Sequence, residues 1–124
     1  MIKINTTTAK HKRTKVKVRI TMSDGSFEVY DGYLIPDVPG LCIHKEGRIY
    51  KIDHHPSGYQ AVPGYVSKRL YPAVELIVKL GRMAERHGFR WDSIPLDILR
   101  TRRDLADEVI VLRDMISAKY ARIS

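Results

Sequence analysis

The side chains best suited to ligate a metal or move a proton crowd into one stretch. Cys42, His44, His54 and His55 lie there, the last two adjacent in YKIDHHPSGYQAVPGY, residues 50–65. A transition-metal centre needs three or four nitrogen, sulfur or carboxylate ligands converging at about 2.0–2.3 Å. Adjacent histidines on a continuing strand point to opposite faces, so His54 and His55 do not readily chelate one ion together. Cys42 and His44 share a face, and only strand register decides whether His54 meets them. No His-x-x-x-His or Cys-x-x-Cys spacing is present, and Pro56-Ser57-Gly58 reads as a turn. The expectation is a polar connection whose histidines decorate a strand end as bystanders, with no metal and no cofactor.

Nucleophilic chemistry is no better supported. Cys42 sits in an apolar strand pattern, where a thiol behaves as a small hydrophobe. No serine occupies a Gly-x-Ser-x-Gly turn. Asp104, Asp107, Glu108 and Asp114 interleave with arginines as an ion-paired helix surface does. The chain therefore reads as a binder and not as an enzyme.

Residues suited to holding phosphate are more suggestive. Gly88-Phe89-Arg90-Trp91-Asp92 offers two aromatics able to stack on a base, an arginine for phosphate and an aspartate for ribose hydroxyls. The same residues would also serve as a helix–helix corner, with Phe89 and Trp91 plugging the core. Lys68 and Arg69, after the Pro63-Gly64 turn that delivers Tyr65, stand at a helix start, where free amides and the helix dipole favour anions. Arg100, Arg102 and Arg103 form a cationic cluster that suits either an anion or water. Lys15, Lys17 and Arg19 project from one strand face at about 6.6 Å spacing, near the backbone repeat of an extended nucleic-acid strand. Lys12 and Arg13 precede them.

The elements that position these residues follow from hydrophobic periodicity. Residues 1–14 read as a basic arm in which Ile2 and Ile4 could add an edge strand. Residues 15–66 read as an antiparallel meander of four or five strands. Val16, Val18, Ile20 and Met22 alternate with Lys15, Lys17, Arg19 and Thr21, Ser23–Ser26 turns the chain, and Asp31-Gly32 suggests a bulge. Strands at 41–44 and 48–53 follow, with Tyr59–Val62 as a fifth. Residues 67–124 change to a helical period. A first helix begins near Arg69–Pro72 and stops at His87-Gly88. A second pattern runs on to Arg122, with Ile98, Leu105, Val109, Leu112, Ile116 and Tyr120 on one face. A capping box at Thr101–Asp104 suggests a kink or restart near residue 101. The fold class is α+β, one domain with the tail packed on the sheet.

Composition bounds the function. The net charge of +8 is concentrated: residues 1–19 carry seven Lys/Arg and no acid, whereas residues 20–66 carry three against six. Such clustering steers polyanions. A single cysteine excludes an intrachain disulfide and a Cys-rich zinc module, and favours a reducing, cytoplasmic setting. No apolar run is long enough to span a bilayer, and MIKINTTTAK does not resemble a signal peptide. In outline the layout resembles that of small phage-encoded anti-Thoeris sponge proteins, which pair an N-terminal antiparallel sheet with a kinked helical tail. The resemblance is one of architecture over most of the chain. It implies an oligomer that sequesters a cyclic nucleotide signal in counter-defence without cleaving it. The residue chemistry above gives the expected partners as an anionic nucleotide, with Phe89, Arg90, Trp91, Lys68, Arg69, Arg100, Arg102 and Arg103 as ligand contacts, and further copies of the chain joined through the C-terminal helix. A DNA- or RNA-binding protein using Lys12, Arg13, Lys15, Lys17 and Arg19, and a structural oligomerisation module, are the alternatives.

Overall fold

The computed structural model describes residues 12–121, an α+β fold. The edge-strand reading of Ile2 and Ile4, most of the basic arm and the helix end at Arg122 lie outside the described residues. Four strands, β1 (Thr14–Thr21), β2 (Phe27–Leu34), β3 (Leu41–Glu46) and β4 (Ile49–His54), form one antiparallel sheet in the order β1-β2-β3-β4. Three helices follow: α1 (Leu70–His87), α2 (Leu96–Thr101) and α3 (Arg103–Tyr120).

The alternation in β1 sorts its side chains as expected, with Val18 fully buried and Lys15, Lys17 and Arg19 exposed. The β1–β2 turn closes where Met22 N–H donates to the Ser26 carbonyl and Asp24 Oδ1 accepts from the Ser26 amide at 2.9 Å. No bulge interrupts β2. All eight of its residues pair with β1 in continuous register, from Thr14↔Leu34 to Thr21↔Phe27. Gly32 serves a different purpose, because a Cβ there would stand 2.1 Å from the Ile43 carbonyl oxygen and 2.6 Å from a Val18 methyl. Only a residue without a side chain lets β1 and β2 curl this tightly over β3. The curl is latched at its far end. Thr21 donates through its amide to the Gly58 carbonyl at 2.9 Å and through its hydroxyl to the Ser57 carbonyl at 2.8 Å. The first strand thereby touches the segment that follows the fourth.

A fifth strand does not form. Residues after β4 make two isolated bridges to it, Asp53↔Gln60 and Tyr50↔Ser67. Pro63 has no amide to donate, and the chain turns between the two bridges, so no ladder propagates.

α1 begins where expected. Arg69 is its extended N-cap, and Pro72 falls in the first turn, where a missing amide costs nothing. Gly88 ends it in left-handed geometry. The long second helix is two helices, separated at Arg102 (φ −86°, ψ 95°). The capping box at Thr101–Asp104 is not made. Thr101 Oγ1 donates back to the Ile98 carbonyl at 2.8 Å, and the Arg102 side chain forks onto Asp104. This rotation turns Ile98 outward, 50 % exposed, and Leu96 and Leu99 enter the core in its place.

The core lies between β3–β4 and the helices: Leu41, Ile43 and Ile52 meet Val74, Ile77 and Leu80 of α1 and Leu105, Val109, Leu112 and Ile116 of α3. Each such side chain contributes about 1.5–3 kcal/mol on burial. Polar contacts fasten α1 to α3 near both ends. Glu75, buried, accepts from Lys119 Nζ at 2.7 Å and from the Tyr120 hydroxyl, while Glu108 accepts from Arg86 and His87.

Candidate functional site

The Phe89–Asp92 corner is built as a core plug. Trp91 is 2 % exposed, and its indole N–H donates to the Leu80 carbonyl at 2.9 Å. Phe89 packs edge-on against it, ring centroids 5.2 Å apart. Arg90 forks onto Asp92, with N–O distances of 3.0 and 2.9 Å. Asp37, Glu85 and Asp92 line the small cleft beside them. The expected stacking platform is thus corrected: the indole faces the core, and Arg90 meets a carboxylate in a cleft whose acids oppose an anion. The arginine cluster is similarly dispersed. Arg100 reaches the Gln60 carbonyl, Arg102 pairs with Asp104, and Arg103 is exposed on the first turn of α3.

Lys68 and Arg69 come together, with the Arg69 guanidinium donating to the Tyr71 hydroxyl at 2.7 Å. They line a cavity of about 360 Å³ at the start of α1, walled by Ile49, Pro72, Ile116 and Tyr120. Ser67 organises its mouth, its hydroxyl donating to the Arg69 carbonyl at 2.7 Å and accepting from the Arg69 amide. Tyr65 also lines it, and its hydroxyl is buried without a hydrogen-bond partner among the described residues. Burial pushes this phenol up to about 12; the nearby Ser67 tempers the shift without standing in hydrogen-bonding geometry. An unpaired buried hydroxyl costs roughly 1–3 kcal/mol, so a cavity that contains one suits a ligand able to accept from it.

His44 and His54 are built into the fold, whereas His55 is exposed. His44 and Asp53, 2 % and 1 % exposed, share the sheet face turned away from the helices, where Cys42 pairs with Asp53 in register. His44 Nδ1 donates to Asp53 Oδ2, and Nε2 to Glu46 Oε1 at 3.1 Å. Burial would lower the His44 pKa, but the hydrogen bond and charge of Asp53, with Glu46 behind them, reverse this and raise it above 6.5. Asp53 is raised as well, because burial outweighs its pairing. His54 is the opposite case. Its Nε2–H donates to the Trp91 carbonyl at 2.9 Å and Nδ1 accepts from the Ser57 hydroxyl, and burial lowers its pKa. The Cys42 thiol is driven far up by burial and then by Asp53, so it is inert as a nucleophile. No group of three potential ligands gathers for a metal among the described residues. The Asp-His pairing has the chemistry of a base and its orienting acid, yet it is sealed from solvent and serves the fold. Only register could have revealed it, since His44 and Asp53 become neighbours through strand pairing.

These shifts carry opposite signs. His44 adds stability below pH 6.5 that is lost as pH rises through its raised folded value, whereas His54 costs stability as pH falls below 6.5. Urea midpoints of a His54→Gln variant are therefore expected to fall as pH rises from about 6 to 9. Those of a His44→Leu/Asp53→Val variant, which leaves His54 without the buried pair, should fall as pH drops from about 7 to 5. Slopes of the same sign in both would contradict the assignment.

No helix among the described residues is long and apolar enough to cross a membrane. No protein-family model matches this chain, and no curated protein and no solved structure matches it.

Proposed function

We propose that this chain is a non-enzymatic binder of a phosphate-bearing small molecule, a nucleotide in class, held in the cavity at the start of α1. The reading rests on one juxtaposition: an apolar interior whose mouth carries Lys68 and Arg69, with the unpaired Tyr65 hydroxyl in its lining. The apolar wall suits a nucleobase, and the cationic mouth suits a phosphate. The volume falls within the usual range of ligand pockets, about 300–1,000 Å³. Among the described residues, none that lines the cavity is His, Cys, Asp or Glu, which favours retention over cleavage. In this reading the protein sequesters its nucleotide, as the resemblance to sponge proteins implies. Copies would assemble through the outward face of α3, where Val111 and Met115 are each 54 % exposed.

Native mass spectrometry of protein purified from cells, followed by calorimetric titration with AMP and cyclic AMP, tests this. A co-purifying nucleotide mass or micromolar binding is expected. Lys68→Ala/Arg69→Ala should weaken it about tenfold or more, and Tyr65→Phe about three- to tenfold. Absence of both, or binding unchanged in the double variant, would overturn the reading.

A further inference from the structure

We infer a second anion-binding surface, the outward face of the β1–β2 ribbon, shaped to enter the major groove of duplex DNA. β1 and β2 pair along eight residues, but only Gly32, Tyr33 and Leu34 of β2 pair onward with β3. Residues 17–21 and 27–31 consequently form a two-stranded ribbon. Register fixes what its two faces carry. Val18 and Ile20, with Tyr30 and Glu28 opposite, line the inward face, where Val18 is wholly buried. Lys15, Lys17 and Arg19 lie outward, opposite Tyr33, Asp31 and Val29, and Thr21 lies opposite Phe27.

Between Thr21, whose hydroxyl is taken by the Ser57 carbonyl, and Tyr33, which packs against the core, this outward face is open. Phe27 is 53 % exposed and Val29 57 %, unusual for large apolar side chains on a face that also carries cations. Lys45 adds charge close to Asp31, so four cations share the face with a single carboxylate. That carboxylate pairs with Lys17 at 2.5 Å, both side chains more than 70 % exposed. Such a solvent-screened pair contributes little, and Lys17 can exchange it for a phosphate.

The shape selects the partner. A two-stranded ribbon, its strands about 4.8 Å apart, fits a major groove about 12 Å wide. In that pose the row of cations on the edge strand β1 meets the phosphates, and Phe27 and Val29 present apolar surface to base edges such as thymine methyls. A single strand would instead need open aromatic platforms. The Arg19 guanidinium already covers the Phe27 ring, 4.1 Å from its centroid. Charge and shape thus favour duplex over single-stranded nucleic acid.

The test is fluorescence anisotropy with the full chain, a 30-bp duplex and the matching single-stranded 30-mer, from 50 to 200 mM salt. Duplex binding is expected to be the tighter. Four phosphate contacts at about −0.9 each predict a log–log salt slope near −3.6, about a 150-fold loss over this range. Lys15→Ala/Lys17→Ala/Arg19→Ala should reduce the slope to about −0.9, while its melting temperature stays near that of the parent because all three side chains are exposed. Phe27→Ser/Val29→Ser should keep the slope and lose discrimination between A·T-rich and G·C-rich duplexes. Lys68→Ala/Arg69→Ala should bind duplex as the parent does, which separates this surface from the nucleotide cavity. The inference is overturned by equal or tighter single-strand binding, by no duplex binding at 50 mM salt, or by a triple variant that keeps the parental slope.

Discussion

Trp91→Ala is expected to destabilise the fold by about 3–5 kcal/mol, the usual cost of removing a buried indole. The ring is closed off on every side. Its N–H satisfies the Leu80 carbonyl, Phe89 packs on its edge, and its own backbone carbonyl receives the His54 imidazole. Gly40 also presses against this segment: a Cβ there would fall 2.2 Å from the Asp92 nitrogen, so the chain has no room to collapse into the vacancy. For a domain of this size the loss corresponds to a fall in melting temperature of roughly 10–20 °C. Trp91→Phe, which keeps most of the apolar contact and gives up the hydrogen bond, should cost about 1–2 kcal/mol. Differential scanning calorimetry checks both. A Trp91→Ala protein melting within a few degrees of the parent, but unable to bind nucleotide, would instead place the ring at a ligand.

The second large effect is expected at Asp53. Its removal leaves a buried imidazole whose remaining carboxylate partner is Glu46, and breaking one partner of a buried pair costs about 3–5 kcal/mol. Desolvation makes the pair itself a poor source of net stability, so replacing both members should be far milder than replacing one. Asp53→Val is therefore expected to be strongly destabilising, and His44→Leu/Asp53→Val to recover most of that loss. Chemical denaturation of the two single variants and the double variant completes the cycle. Additive losses would mean that the two side chains act independently, against the geometry of a carboxylate bonded to one ring nitrogen.

The contrast between these two sites shows what the sequence carries. The strands of the meander, the start and stop of α1 and the restart near residue 101 are local matters of alternation, proline placement and glycine, and all were legible. So was the delivery of Tyr65, Lys68 and Arg69 to one helix start, because a single turn separates them. Trp91 was ambiguous, since an aromatic at a corner has the same sequence signature whether it stacks on a ligand or fills a core. The Leu80 carbonyl, eleven residues away, decides the matter. The His44–Asp53 pair was hidden by a different effect. Leu41 to His44 is buried on both faces, because the sheet curls, and a curl depends on how closely three strands approach at Gly32. Glycine at that position reads equally well as a bulge.

The latch between Thr21 and the Ser57-Gly58 turn has a kinetic consequence. Apart from Val18, β1 and the ribbon half of β2 contribute no fully buried apolar side chain. What holds this ribbon to the body is Val18, the Tyr30 ring against His44, a pair of hydrogen bonds and three residues of onward pairing. The ribbon is therefore expected to open as its own cooperative unit while the helices and β3–β4 stay intact, which amide exchange faster in β1 than in β3 would show. Such opening exposes the cap over Cys42 and His44 and lets water reach the buried pair without global unfolding. The lightly anchored ribbon thus controls access to the buried His44–Asp53 pair.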